Sequence, residues 1–291
     1  MKNPYLDWLQ EHDRHQLHGA VLPLGGFDAP ARPALDGSAP SVMIFAPHPD
    51  DECVIGGLAL RIMRERGARV INVAVTLGSR KDRQAARRNE LAAACAYLGF
   101  ELVHTGEHGL EDVHPAARAS DPRAWAAKVT CVRDILLAHR PGIIIIPHAA
   151  DWNRTHLGTH ALVMDALAAF DGFRCAVIET EFWGAMTTPN LMLEISTPDL
   201  ADLMAALSFH AGEVKRNPYH LRLPAWMQDN VRRGGEVVGG QGGTAPGFGY
   251  ATLYRILRWD GKSASTWFGG GRIVGANEDI MHVFTGAEPW K

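Results

Sequence analysis

The sequence lacks the cysteine patterns that mark disulfide-rich scaffolds and zinc ribbons. Its four cysteines form no CxxC pair and lie far apart, at Cys53, Cys95, Cys131 and Cys175. We therefore expect reduced thiols in a cytoplasmic protein rather than a disulfide framework. Cys53 lies beside a polar cluster, but a small buried side chain is the simpler interpretation of that cysteine.

Long apolar runs and a strong net charge are also missing. No run approaches the roughly 18 apolar residues that a transmembrane helix needs. The start of the chain is charged and amphipathic, without the apolar segment of a secretory signal. A net charge of −3 argues against a nucleic-acid-binding protein. No G-x-G-x-x-G follows a strand, so we expect no dinucleotide cofactor.

What is present is an alternation of short apolar runs and helical patterns over the first 170 residues. The predicted strands are 42–46, 70–76, 102–104 and 143–146, and the predicted helices between and after them are 57–66, 83–98, 122–139 and 156–170. The strands are continuously apolar, which is typical of a parallel sheet that is buried on both faces. The pattern predicts an α/β fold with a mainly parallel sheet and right-handed crossovers.

The pattern is looser outside this region. A short helix is predicted at 5–16, and residues 19–40 are a surface connection rich in Gly, Pro and Ala. After residue 171 we predict strands 175–178, 191–195 and 251–257, helices 198–212 and 218–233, and a glycine-rich loop 234–249. With no repeat and no clear linker, we expect one domain over 1–291, made of an extension (1–40), an α/β core (41–170) and a C-terminal elaboration (171–291).

Two polar turns follow two of the predicted strands. Pro47–Glu52 offers one imidazole and three carboxylates, and Asp151–His156 opens a later helix. Ligands bind at the carboxyl ends of parallel strands, so neighbouring strands would bring the turns together. One His and one Asp from the first turn with one His from the second would suit catalytic zinc, and a spare carboxylate would take a proton from water. The alternative is that the acidic cluster only caps a helix.

The motifs resemble a known family. PHPDDE followed by CVIGG, then VAVTLG, then RRNE leading to YLG, is similar to the PIG-L / LmbE-like family of zinc-dependent N-deacetylases. The resemblance covers roughly residues 41–167, with a weaker echo at 206–210. It implies a Rossmann-like three-layer sandwich with C-terminal elaboration and one zinc ion per chain. It also implies that an acetyl group is removed from an N-acetylglucosamine unit, free or within a conjugate.

The family's site residues carry over onto matching positions of this chain. The resemblance implies that His48, Asp51 and His156 hold the metal. Asp50 would be the general base that takes a proton from the attacking water. Glu52 is expected to cap the new helix or to support its neighbours, and so to matter less to the chemistry.

Four further residues are predicted to bind the substrate. Arg87 resembles an arginine that contacts substrate in relatives, and Asp112 resembles a carboxylate that binds sugar hydroxyls. Trp152 lies in the second polar turn, Asp151–His156. An aromatic face there could stack on a sugar, although packing is the more general role of tryptophan. His210 lies where relatives carry a helix histidine near the site.

One position departs from the family pattern. The second motif usually has two histidines three residues apart, and Asn153 replaces the earlier one. An asparagine donates a hydrogen bond but carries no positive charge. We expect Asn153 to face the acyl carbonyl, with His210 or His160 as alternatives for that role. His160 is also an alternative fourth ligand.

Other functions stay open at this stage. An amidase that cuts a larger acyl group is the nearest alternative, and a non-catalytic carbohydrate- or metal-binding protein is another. The presence of Asp50 favours an enzyme, because binding alone does not need that residue. A second metal at His104, His108 and His114 is a further alternative, although chance proximity explains these histidines more simply. The expected partner is an amino sugar or glycoconjugate, without nucleic acid or membrane, and a homo-oligomer is an open alternative to a monomer.

Overall fold

One mixed sheet runs through residues 3–284, the part of the chain that the computed structural model describes. Its strands are β1 (Val42–Ala46), β2 (Val70–Ala74), β3 (Glu101–His104), β4 (Ile143–Pro147), β5 (Cys175–Thr180), β6 (Leu191–Glu194), β7 (Ala251–Trp259), β8 (Ala264–Thr266) and β9 (Arg272–Val274). The order is β3-β2-β1-β4-β5-β7-β6-β9, with β8 on β7. The first five strands of that order are parallel, and β7 is antiparallel to both β5 and β6.

The helices lie between and after these strands. They are α1 (Tyr5–Gly19), α2 (Asp51–Val54), α3 (Gly57–Arg66), α4 (Gln84–Leu98), α5 (Pro115–Ser120), α6 (Pro122–His139), α7 (Arg154–Ala168), α8 (Thr197–Ser208), α9 (Ala211–Val214) and α10 (Tyr219–Val237). Short 3-10 helices cover Lys81–Arg83 and Ile280–Phe284. No helix among residues 3–284 is long and apolar enough to cross a membrane.

The central strands separate two hydrophobic cores. In β1, Val42 and Ile44 belong to one core, while Met43 and Phe45 belong to the other. Successive side chains of a strand point to opposite faces, so helices cover the sheet on both sides. The fold is therefore a three-layer α/β sandwich with a mostly parallel sheet, which confirms the predicted fold class.

Several elements differ from the sequence-based prediction. The helix predicted at 198–212 is broken, because α8 ends at Ser208 and α9 begins at Ala211. The helix predicted at 218–233 continues to Val237, into the expected glycine-rich loop. The short elements α2, α5, β8 and β9 were not predicted, because three to six residues are too few to show a hydrophobic period.

Candidate metal and catalytic site

The two polar turns meet because their strands are neighbours. β1 pairs in parallel with β4, with Val42 opposite Ile143, so both strands end at the same edge of the sheet. The first turn leads directly into α2, and the second leads into α7. The sequence argument from parallel strands therefore describes the actual geometry of this edge.

Three side chains from these turns bring one donor atom each to a common point. His48 Nδ1 lies 3.2 Å from Asp51 Oδ2 and 3.3 Å from His156 Nε2. The remaining side of the triangle, from His156 Nε2 to Asp51 Oδ2, is 3.4 Å. Asp51 and His156 are buried, and His48 is partly exposed.

The triangle has the size that a tetrahedral zinc site requires. Two ligands each about 2.0–2.1 Å from a tetrahedral ion are separated by about 3.3–3.4 Å. Two imidazole nitrogens and one carboxylate oxygen are also a donor set that catalytic zinc takes, with a fourth position left open. The residues present therefore fit the metal that the motifs imply.

The buried carboxylate of Asp151 orients one of these donors. Asp151 Oδ2 lies 2.9 Å from His156 Nδ1, and its other oxygen accepts a hydrogen bond from the backbone N–H of Asn153 at 2.8 Å. In the neutral imidazole that a metal needs, an N–H at Nδ1 would leave the lone pair of Nε2 facing His48 and Asp51. Burial opposes the charge of His156, but the neighbouring carboxylates outweigh burial and raise the pKa of this imidazole to about 10. Sequence reasoning assigned Asp151 no role, although it lies only five residues before His156.

Asp50 has an unusual backbone. Its φ is 112°, a conformation that residues other than glycine rarely adopt. Arg87 lies beside it: Nη2 of Arg87 donates to the carbonyl oxygen of Pro49 at 2.9 Å and lies 3.9 Å from the Asp50 carboxylate. Burial and the charge of Asp51 raise the pKa of Asp50 to about 8.

A buried hydrogen-bond network supports this strained turn. Glu52 Oε2 accepts from the backbone N–H of Asp50 at 3.0 Å, and Glu52 Oε1 accepts from Cys53 Sγ at 3.2 Å. His210 Nε2 also lies 2.7 Å from Glu52 Oε1. Glu52, Cys53 and His210 are each 0% exposed. The substrate contact predicted for His210 is therefore corrected, because this side chain is sealed beneath the turn and contacts Glu52.

The donor triangle and Asp50 open into a cavity of about 880 Å³. With the exception of His210, every predicted site residue lines it: His48, Asp50, Asp51, Arg87, Asp112, Trp152, Asn153 and His156. Sequence reasoning did not anticipate Trp183 and Tyr219, which stack on each other at the cavity with ring centroids 5.5 Å apart.

Asn153 and Trp152 lie at the cavity in different ways. The Asn153 side-chain oxygen accepts the backbone N–H of Thr155 at 2.9 Å and caps α7, so only its amide nitrogen remains as a donor toward a ligand. Trp152 is 71% exposed, so it is a surface residue and not a packing residue of the core. Asp112 also has an exposed side chain, in a loop whose backbone is left-handed at this residue.

The remaining histidines do not join the donor triangle. His160 Nε2 lies 2.9 Å from Glu179, which accounts for its partly buried side chain without a metal. Within residues 3–284, His104, His108 and His114 are not part of any group with metal-binding geometry. Glu52, Cys53 and His210 form the second such group, but their mutual hydrogen bonds already account for their arrangement.

Comparison with known families places both turns within one sequence match. The family model PIG-L, described as GlcNAc-PI de-N-acetylase, matches residues 43–167. The match runs from β1 to α7 and contains the whole donor triangle. No curated protein sequence matches the chain.

Solved structures share the fold at low sequence identity. Dbv21, the A40926 pseudoaglycone deacetylase, has a TM-score of 0.57 and 15% identity over 78% of this chain and 100% of its own. The N,N'-diacetylchitobiose deacetylase of Pyrococcus horikoshii has a TM-score of 0.52 and 16% identity over 77% and 85%. GalB, the 4-carboxy-2-hydroxymuconate hydratase of Pseudomonas putida KT2440, has a TM-score of 0.55 and 19% identity over 75% and 95%.

The hydratase among these structures means that the fold alone does not determine the reaction. The family match is more specific, because it spans the sequence that builds the donor triangle and the turn of Asp50. Residues 43–167, which are less than half of the chain, are therefore similar to the PIG-L family, and deacetylases of known structure share the fold.

Proposed function

We propose that this protein is a zinc-dependent hydrolase that removes the N-acetyl group from an N-acetylglucosamine-type amino sugar or its conjugate. The observation that carries the proposal is the triangle of His48, Asp51 and His156 beside the strained Asp50. We further propose that the chain acts as one domain, because the strands of its C-terminal part extend the same sheet.

The three donors would hold one zinc ion, with Asp151 fixing the tautomer of His156. Zinc bound there would lower the pKa of a water molecule and polarise the acyl carbonyl. The carboxylate of Asp50 would take a proton from the attacking water. The guanidinium group of Arg87, whose Nη2 lies 3.9 Å from Asp50 Oδ2, would stabilise the negative charge of that carboxylate.

Amide hydrolysis also needs a proton on the leaving nitrogen, because an amide anion is a very poor leaving group. We assign this step to Asp50 as well, since it would hold the proton taken from water and lies at the same cavity. The amide nitrogen of Asn153 would donate a hydrogen bond to the oxygen that gains negative charge. Its orientation is set by the cap that its oxygen makes with Thr155.

The rest of the cavity would bind the sugar. Asp112 would accept hydrogen bonds from sugar hydroxyls, and the exposed Trp152 offers an aromatic face for stacking. A cavity of about 880 Å³ accommodates more than one sugar ring, which supports a conjugate as the substrate.

A substrate panel tests the proposal. Zinc-loaded protein would be incubated with N-acetylglucosamine, with its glycosides, and with matched amino sugars that carry longer acyl chains. We expect acetate and free amine to be released in equal amounts. The Asp50→Asn substitution should abolish this release. Faster release of a longer acyl chain would instead identify an amidase. Tight sugar binding without any release would identify a binding protein.

A further inference from the structure

One wall of the cavity carries an unusual arrangement of arginines. Arg83 Nη1 lies 2.8 Å from Glu213 Oε1, and Arg87 Nε lies 3.9 Å from the same oxygen. Arg216 pairs with the other oxygen of this carboxylate. Glu213 is only 5% exposed and lines the cavity with all three arginines. Three guanidinium groups therefore share a single carboxylate.

Two glycines make room for these guanidinium groups. A Cβ at Gly212 would collide with Arg83 Nη2, and a Cβ at Gly78 would collide with Arg87 Nη1. A larger residue at Gly212 would displace the end of the Arg83 side chain while sparing the backbone. The chain therefore leaves space for the guanidinium groups of Arg83 and Arg87 where they face the cavity.

The charges of this wall do not balance. Arg80 and Lys81 also line the cavity, and they pair with Asp82 and Glu111, respectively. Five cations thus share four carboxylates, those of Asp50, Asp82, Glu111 and Glu213, which leaves an excess of one positive charge. Arg80, Lys81 and Arg216 have side chains that are more than 60% exposed, so their charged ends remain accessible to a ligand.

We propose that this wall, formed by Arg80, Lys81, Arg83, Arg87 and Arg216, binds an anionic group of the substrate, either a phosphate or a carboxylate. The proposal rests on the function proposed above and specifies its substrate class. Guanidinium groups bind both anions through charge-assisted, paired hydrogen bonds. The buried Glu213 would hold the arginines in position, and the anion would neutralise the excess charge.

Selectivity between charged and neutral substrates tests this wall. Kinetics would compare N-acetylglucosamine 1-phosphate, N-acetylmuramic acid and neutral N-acetylglucosamine, so that phosphate and carboxylate are separate arms. We expect kcat/KM to favour at least one anionic substrate. Arg216→Ala should reduce that preference about tenfold, mainly through KM, and Arg216→Lys should restore part of it.

Arg232→Ala is the matched control. Arg232 also pairs with an acid three residues away on a helix, Asp229, and its side chain is 70% exposed. The preference of this variant should equal that of the wild type. Equal kcat/KM values for charged and neutral substrates in the wild type, or a preference that survives Arg216→Ala, would overturn the proposal.

A binding measurement separates this proposal from the proposed reaction. Calorimetric titration of zinc-loaded Asp50→Asn with N-acetylglucosamine 1-phosphate needs no turnover. We expect tighter binding than for N-acetylglucosamine, and a loss of that difference in Asp50→Asn/Arg216→Ala. An anion held by the metal alone would keep its affinity in the double variant, which would contradict the assignment to this wall. If no substrate releases acetate, this titration still decides whether the wall binds anions.

Discussion

His210 Nε2 lies 2.7 Å from Glu52 Oε1, although the two residues are 158 positions apart in the sequence and neither is exposed. The other oxygen of Glu52 accepts from the backbone N–H of Asp50, whose φ is 112°. A strained backbone persists only where its surroundings hold it. His210 and Glu52 therefore support the conformation of the proposed catalytic base.

The Glu52 network predicts different outcomes for two substitutions. In Glu52→Gln the amide oxygen still accepts from Asp50. Its NH2 group can then face His210 Nε2 once the imidazole proton moves to Nδ1, an atom without a hydrogen-bond partner among the described residues. Glu52→Ala removes the acceptor and leaves buried donors unsatisfied, at about 1–3 kcal/mol each.

We expect Glu52→Gln to keep metal and most activity, and Glu52→Ala to lose stability and turnover together. Chemical denaturation and metal content would measure both effects. Glu236→Ala, at an exposed position of α10, is the control for removing a glutamate. A turnover rate of Glu52→Gln as low as that of Asp50→Asn would show that Glu52 takes part in the reaction directly.

Metal binding should depend on all three donors of the triangle. We expect one zinc ion per chain in protein purified without added metal, and little in His156→Ala, because two donors remain. Elemental analysis checks both values. An unchanged zinc content in His156→Ala would show that the metal binds elsewhere. The zinc content of Asp51→Asn is the second test.

Asp151 should affect metal affinity without being a ligand. Asp151→Asn weakens the hydrogen bond that sets the tautomer of His156, so zinc affinity should fall about 10–100-fold. Competition with a chromophoric chelator measures this change without any substrate. Asp121→Asn is a matched control, since Asp121 also accepts a backbone N–H at the start of a helix but lies far from the triangle along the chain. Equal zinc affinities in the two variants would contradict the role of Asp151.

Asn153 has two tasks that can be separated. Asn153→Ala should lose the cap of α7, at about 1 kcal/mol, and the donor, at about 10²–10³ in turnover rate. Asn153→Asp keeps a capping oxygen but has no amide donor, so its stability should match the wild type while turnover falls. Thermal unfolding and single-turnover kinetics measure the two effects. A near wild-type rate for Asn153→Ala would show that another group stabilises the oxygen.

The elements that were predicted correctly have strong local signals. β1 was predicted with its observed bounds, because five apolar residues stop at Pro47. α6 was also predicted with its observed bounds, because Asp121 and Pro122 begin it and Pro141-Gly142 follows it. The meeting of the two turns needed only the rule that parallel strands end at one edge.

The parts that were missed depend on distant contacts. The side chain of His210 is buried against Glu52 because the chain breaks between α8 and α9, and no local pattern indicates that break. Sequence reasoning also missed Glu213, the carboxylate that the arginines share. Arg83 and Glu213 are 130 residues apart, so no local pattern indicates their contact. Local patterns predict which residues a turn offers, whereas the partners of buried side chains depend on tertiary packing.

The central claim is that Asp50 is the acid–base group of a zinc-dependent deacetylation. Single-turnover kinetics of Asp50→Asn, on the best substrate of the panel and with zinc occupancy measured in the same sample, test it most directly. A positioned acid–base group typically contributes about 10²–10⁴ in rate. We predict a loss of at least that size with zinc still bound at one per chain. A near wild-type rate in fully zinc-loaded Asp50→Asn would contradict the account.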